Sequence, residues 1–207
     1  YQQSTQTFGL LTSRLDMPDI NGLQPVRPSA STQAVSKSTA VSMSSSTTKP
    51  VLVGSDSLEI ETSNLLIVDQ HTFEILHAHQ FMPTELAVSI LSARLGENQE
   101  EYFVVGTAFV NDDEPEAKQG RLVVFQWSHT SGLQQVAELS IKGCAYSLCE
   151  FENGKFLAGI NSSVNLVELN SRRDLHIECS YASATIALFL KRKGDLILMG
   201  DLMRSMY

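Results

Sequence analysis

The feature that most constrains this chain is a glycine that recurs inside short apolar runs. "YFVVGTAF", "KFLAGIN" and "DLILMGDL" align as a bulky apolar pair, a small or apolar residue and then Gly106, Gly159 and Gly200. The second interval is 41 residues; the first is 53, lengthened by the loop at Asp112 to Glu116 and by the "SHTSGLQQ" hairpin. The strand that follows repeats as well, since "NLVELN" at Asn165 to Asn170 echoes "NLLIVD" at Asn64 to Asp69. Runs this short and rich in β-branched and aromatic residues, with turn signals such as "LGEN", "ENGK" and "RKGD" between them, read as strands. None keeps a 3.6-residue period, so the fold class is all-β. Four antiparallel strands per unit of about 40 residues is the signature of a β-propeller blade, in which a glycine lets crowded inner strands approach closely.

Counting blades predicts an incomplete β-propeller. Asn64 to Gln80 reads as the outer half of one blade, Leu86 to Ile141 as a second, Ala145 to Ser180 as a third, and Thr185 to Met203 as the start of a fourth. Closure takes roughly four to eight blades, so the chain is expected to be a section of something larger, as its start at Tyr1 also suggests.

Composition divides the chain. There is no aromatic residue between Phe8 and Phe73, and Ser29 to Thr48 holds 12 Ser or Thr in 20 positions. Such a stretch buries too little apolar surface to offset its conformational entropy, so it is expected to be disordered. The expected organisation is a strand of a preceding blade over 1–15, a disordered Ser/Thr-rich linker over 16–57, and a propeller section of two full and two partial blades over 58–207.

Charge narrows the function classes. The formal net charge of −8, with "KRK" at Lys191 to Lys193 as the longest basic cluster, argues against a generic nucleic-acid or anionic-membrane binder. No apolar run approaches the roughly 20 residues of a membrane span, and no secretory signal is visible. Cys144, Cys149 and Cys179 form no CxxC and fit buried thiols in a reducing compartment.

Chemistry-bearing patterns are weak. The "NDDEPE" loop carries four carboxylates in five residues, but Pro115 stiffens it, Gly120 lies too far along, and no bidentate Glu follows for calcium. Exposed carboxylates on a hairpin tip do not make a catalytic acid pair either. His77 and His79 share one strand face, yet no further ligand has fitting spacing. Without GxSxG, a P-loop or GxGxxG, the chain reads as non-enzymatic, with no cofactor or metal expected.

Four long strings carry a resemblance: "RPSASTQA", "NLLIVDQHTFEILHAHQF", "KQGRLVVFQ" and "KGDLILMGDLMRS". They resemble the large subunits of damage-specific DNA-binding proteins, the triple-propeller adaptors of cullin-4 RING ubiquitin ligases. The large subunits of the cleavage-and-polyadenylation and splicing 3b complexes share the architecture but are less similar. The resemblance places this chain in much of the third propeller. It implies a non-catalytic scaffold of the nucleus and cytoplasm, acting in protein ubiquitination and DNA repair. There, WD-repeat substrate receptors insert a helical segment into a pocket between propellers. Cullin-4 docks on a propeller absent from this chain, and DNA is gripped by a smaller partner subunit. The resemblance also implies contact residues. Leu188, Phe189, Leu202 and Arg204 fall where the family lines the receptor pocket with apolar side chains and an arginine. Ile186 stands where Met is more usual, and Phe189 replaces a usual Tyr. Glu116 falls on an acidic rim position facing basic receptor residues, with Tyr146 and Glu150 near the same mouth. In "IALFL", strict alternation would put Ile186, Leu188 and Leu190 on one strand face and Ala187 and Phe189 on the other.

Overall fold

A computed structural model describes residues 1–16, 60–111 and 116–201. It is all-β: thirteen strands form four antiparallel sheets among the described residues, with a single 3-10 turn at Glu152–Gly154. Strands β1 (Thr7–Asp16), β2 (Ile60–Asp69) and β3 (Ile75–Gln80) make the first sheet, in that order. The second is β4 (Glu85–Leu95), β5 (Glu100–Phe109), β6 (Gly120–Ser128) and β7 (Gly132–Ile141). The third is β8 (Ala145–Glu150), β9 (Lys155–Ile160), β10 (Ser163–Leu169) and β11 (Leu175–Ala182). The fourth holds β12 (Phe189–Lys193) and β13 (Leu196–Gly200). Each sheet is a simple up-and-down meander, the topology of a propeller blade, and the set is an incomplete β-propeller.

One expectation needs correction. The first strand does not belong to a preceding blade: it pairs with β2 over ten residues, from Thr7 opposite Asp69 to Asp16 opposite Ile60. Residues before it reinforce the join, as the Gln70 amide donates to the Gln6 carbonyl at 3.0 Å. The linker expected over 16–57 lies, apart from Asp16 itself, outside the described residues.

Packing explains why the central strands read as continuous apolar runs rather than as alternating ones. Both faces of the second blade are covered. Tyr102 and Val104 of β5, with Leu122 and Val124 of β6, pack on Phe156, Ala158 and Val167 of the third blade. Their neighbours Phe103, Val105, Val123 and Phe125 face the other way, onto Leu65 and Ile67 of the first. A smaller core of Leu157, Val164, Ala187, Leu190 and Met199 joins the third blade to the fourth.

A buried ion pair crosses the second blade. Glu85 is fully buried, and its carboxylate accepts Arg121 Nε at 2.9 Å, Arg121 Nη2 at 2.7 Å and the Thr107 hydroxyl at 2.7 Å. The same guanidinium reaches Glu138 on β7 at 2.9 Å. One residue from each of β4, β5, β6 and β7 is thereby tied into a single network, which satisfies the buried carboxylate and fixes the register across the sheet.

Candidate partner-binding surface

The inner strands carry a repeat built on a bulge. In the second blade Ser89 pairs with Gly106 and Val88 is the extra, unpaired residue. In the third, Ser147 pairs with Gly159 and Tyr146 is the extra one. Each serine hydroxyl donates to a carbonyl on the next blade: Ser89 to Ala145 at 2.7 Å and Ser147 to Ala187 at 3.0 Å. The glycines make this approach possible. A Cβ on Gly106 would lie 2.5 Å from Ser89 Oγ and 2.7 Å from the Ala145 Cβ. One on Gly159 would lie 2.6 Å from the Ala187 carbonyl oxygen.

The fourth blade departs from this rule. Phe189 stands opposite Gly200, where the other two blades place serine opposite glycine. Its ring is 66% exposed rather than folded into a seam. Leu188, following Ala187, takes the place that Tyr146 takes after Ala145 and is half-buried. The alternation expected through "IALFL" fails here. Ala187 and Leu190 are the buried residues, while Ile186 is 36% exposed. The cause is local: the Leu188 amide donates to the Ile186 carbonyl at 3.0 Å, a tight turn that shifts the phase before β12 begins.

Two anticipated contacts come together. Glu116, exposed, and Tyr146, half-buried, line one cavity of about 250 Å3 with Leu86, Val88, Val110 and Cys144. Burial raises the Tyr146 phenol above its ordinary value, helped by the neighbouring Cys144 thiol and the Glu116 carboxylate. Burial likewise pushes Cys144 up to about 11, so this thiol stays protonated and unreactive at neutral pH. The cavity thus combines apolar walls with one rim carboxylate. It can take an apolar or long basic side chain from another protein.

Glu150 does not join them. It ends the same strand four residues on, about 13 Å away at the rise of a β-strand, and lines a polar depression with Tyr1, Arg94 and Glu101. Leu202 and Arg204 lie outside the described residues, as do Asp112 to Pro115. A larger cavity, about 460 Å3, lies elsewhere, along Val164, Tyr181, Ile197 and Met199. Val88 and Val110 were missed from the sequence, although 40% and 43% exposed at the mouth. The available signal was the spacing Ala-x-Ser at Ala87, Ala145 and, with phenylalanine for serine, Ala187, whose middle residue is the one left unpaired.

The histidine pair is packed between blades. His79 sits 5.2 Å from the Phe81 ring and 4.9 Å from Phe125, and His77 lies 6.1 Å from Trp127. Among the described residues no three His, Cys, Asp or Glu side chains gather as metal ligands would.

Comparison with known proteins adds a lineage. The profile of the CPSF A subunit region family matches residues 62–207. DNA damage-binding protein 1 of Drosophila melanogaster is 46% identical over 99% of this chain, and its Caenorhabditis elegans counterpart 35% identical over 99%. DNA damage-binding protein 1a of Arabidopsis thaliana is 38% identical over 73% of it. The chain spans only 18%, 17% and 14% of those relatives respectively. With well over half of its length matching that profile, the chain belongs to the CPSF A subunit region family.

Proposed function

We propose that this chain is a section of a non-catalytic scaffold of the DNA damage-binding type, contributing one wall of the pocket that holds substrate receptors for a cullin-4 RING ubiquitin ligase. Its partners are WD-repeat receptors that insert a helical segment. Cullin-4 is met through a propeller outside this chain, and DNA through a smaller partner subunit. The protein works in the nucleus and cytoplasm, in protein ubiquitination and DNA repair. The observation that carries this reading is the grouping of Val88, Val110 and Tyr146 under the Glu116 rim, with Leu188 one blade further on. An amphipathic helix needs apolar anchors flanked by charge that sets its direction. The resemblance of the surrounding strings to the adaptor family supports the choice of partner.

The test is capture of a WD-repeat receptor by the full-length protein. Leu188→Asp, which puts a charge among the anchors, should weaken capture about 30-fold, the effect of losing some 2 kcal/mol at an interface hot spot. Capture unchanged by Leu188→Asp, with the variant folded, would sink the reading.

A second reading, a propeller scaffold of mRNA cleavage and polyadenylation or of the splicing 3b type, draws on the family's own description. It is favoured if the full-length protein copurifies with RNA-processing factors and ignores WD-repeat receptors.

A further inference from the structure

Asn161 sits at the tight turn between β9 and β10 with φ +46°, a left-handed conformation that asparagine tolerates better than most residues. A turn residue needs no more than that, yet both ends of its side chain are occupied. Its Oδ1 accepts the Cys144 amide at 2.6 Å, and its Nδ2 donates to the Ala117 carbonyl at 3.3 Å. Its backbone is engaged too: the amide donates to the Cys144 carbonyl at 3.1 Å, and the carbonyl accepts the Ala187 amide at 2.9 Å. One residue therefore touches the acidic loop of the second blade, the entry to β8 in its own blade, and the approach to β12 in the fourth.

The surroundings are cut to admit that amide. Gly143 has φ +127°, and a Cβ there would stand 2.5 Å from Asn161 Cγ. A Cβ on Gly120, at the end of the same loop, would stand 2.5 Å from the Gly143 carbonyl oxygen. Ala117 directly follows Glu116. Pinning its carbonyl limits where the Glu116 side chain can start and keeps it beside Tyr146 in the cavity they share. Holding that segment before a partner arrives removes an ordering cost from binding.

We propose that Asn161 is a positioning residue for the partner-binding mouth. Its side-chain amide latches the Glu116–Gly120 segment of the second blade to the third and so presents Glu116 in fixed register with Tyr146. This rests on the partner-binding reading above for its purpose, but the latch itself is read without any partner. Asparagine suits the role because one end accepts and the other donates. Aspartate could keep the Cys144 bond but would set a carboxylate against the Ala117 carbonyl. Glycine would keep the left-handed backbone and lose the amide altogether.

The experiment uses the full-length protein with Asn161→Gly and Asn161→Asp, read first by amide hydrogen exchange without partner. Exchange in peptides covering 116–119 should rise about tenfold in both variants, while β5 and β9 keep their protection. Affinity for a purified WD-repeat receptor should fall about threefold to tenfold in both, the scale of ordering a side chain or two on binding. In a Glu116→Gln background that loss should vanish, because the latch acts through Glu116. Unchanged exchange over 116–119 in Asn161→Gly would reduce Asn161 to a turn residue and overturn the proposal. An affinity loss that persists undiminished with Glu116→Gln would overturn it too. Raised exchange with Glu116→Gln itself silent in binding would uphold the latch and retire the partner reading of this rim.

Discussion

At the scale of single residues, the seam between blades rests on a small set of atoms whose roles differ in kind. Ser147 contributes one hydrogen bond to the next blade, so Ser147→Ala should lower stability by about 1 kcal/mol, the usual net worth of such a bond. Gly159→Ala adds only one carbon, but that carbon would sit 2.6 Å from the Ala187 carbonyl oxygen. Forcing the seam apart should cost more, about 1–3 kcal/mol as for other overpacked interiors. Urea unfolding of the two full-length variants checks the order: equal or reversed midpoints would mean that the glycine is not needed for close approach. The recurring glycines were legible in the sequence because their spacing repeats. The serines opposite them were not, because a bulge in each inner strand displaces them from simple alternation. The same displacement concealed Val88. Glu116 and Tyr146 are 30 positions apart, and residue types alone gave no reason to join them. The family resemblance implies that both lie near one mouth, and the fold brings both to the lining of one cavity.

Elements tell a similar story with different physics. Strands β4 to β11 were readable from their β-branched and aromatic runs and the turn residues between them. The partner of β1 was not, because the chain leaves after Asp16 and returns only at Ile60. No local pattern encodes a pairing across that distance. At the outer seam of the first and second blades, β3 lays His77 and His79 against the aromatic rings of β6. Burial holds His79 below its ordinary value of 6.5; neighbouring His77 and Arg121 act in the same direction and Glu85 against it. The folded form therefore prefers the neutral ring. Above pH 6.5 both folded and unfolded chains carry it neutral, and no stability is lost. As pH falls below 6.5 the unfolded chain binds the proton first, so stability should decline until the folded pKa is passed. Comparing denaturant midpoints at pH 7.5 and 5.5 tests this. His79→Gln should flatten the decline, and an identical slope in the variant would assign it to other groups.

For the whole molecule, what stands out is the disposition of charge around one mouth. The chain carries a net charge of −8, and Glu116 is an exposed carboxylate over apolar walls. Rim charges mainly steer approach and discourage wrong partners, while desolvated anchors set how long a complex lasts. Glu116→Gln should therefore slow association with a basic docking segment by about twofold to fivefold at low salt, and leave dissociation nearly unchanged. Stopped-flow binding at two ionic strengths would show the difference shrinking as salt rises. An effect confined to dissociation would instead make Glu116 a buried anchor. Among the described residues the sheets hold three, four, four and two strands, short of the roughly four to eight full blades that close a propeller, and the chain spans only 18% and 17% of the length of its Drosophila and Caenorhabditis relatives.

The serine links between blades have a consequence for how the chain is made. Ser89 finds its acceptor 56 residues later and Ser147 finds one 40 residues later. Both acceptors lie toward the C-terminus, so on the ribosome each of these serines, once made, stays unanswered until the start of the next blade emerges. At about 5–20 residues per second that wait lasts roughly 2–11 s. Assembly is thus directional: the second and third blades are each fastened by their successor, and a pause after Ala182 has emerged but before Ala187 follows would leave the third blade folded but unfastened.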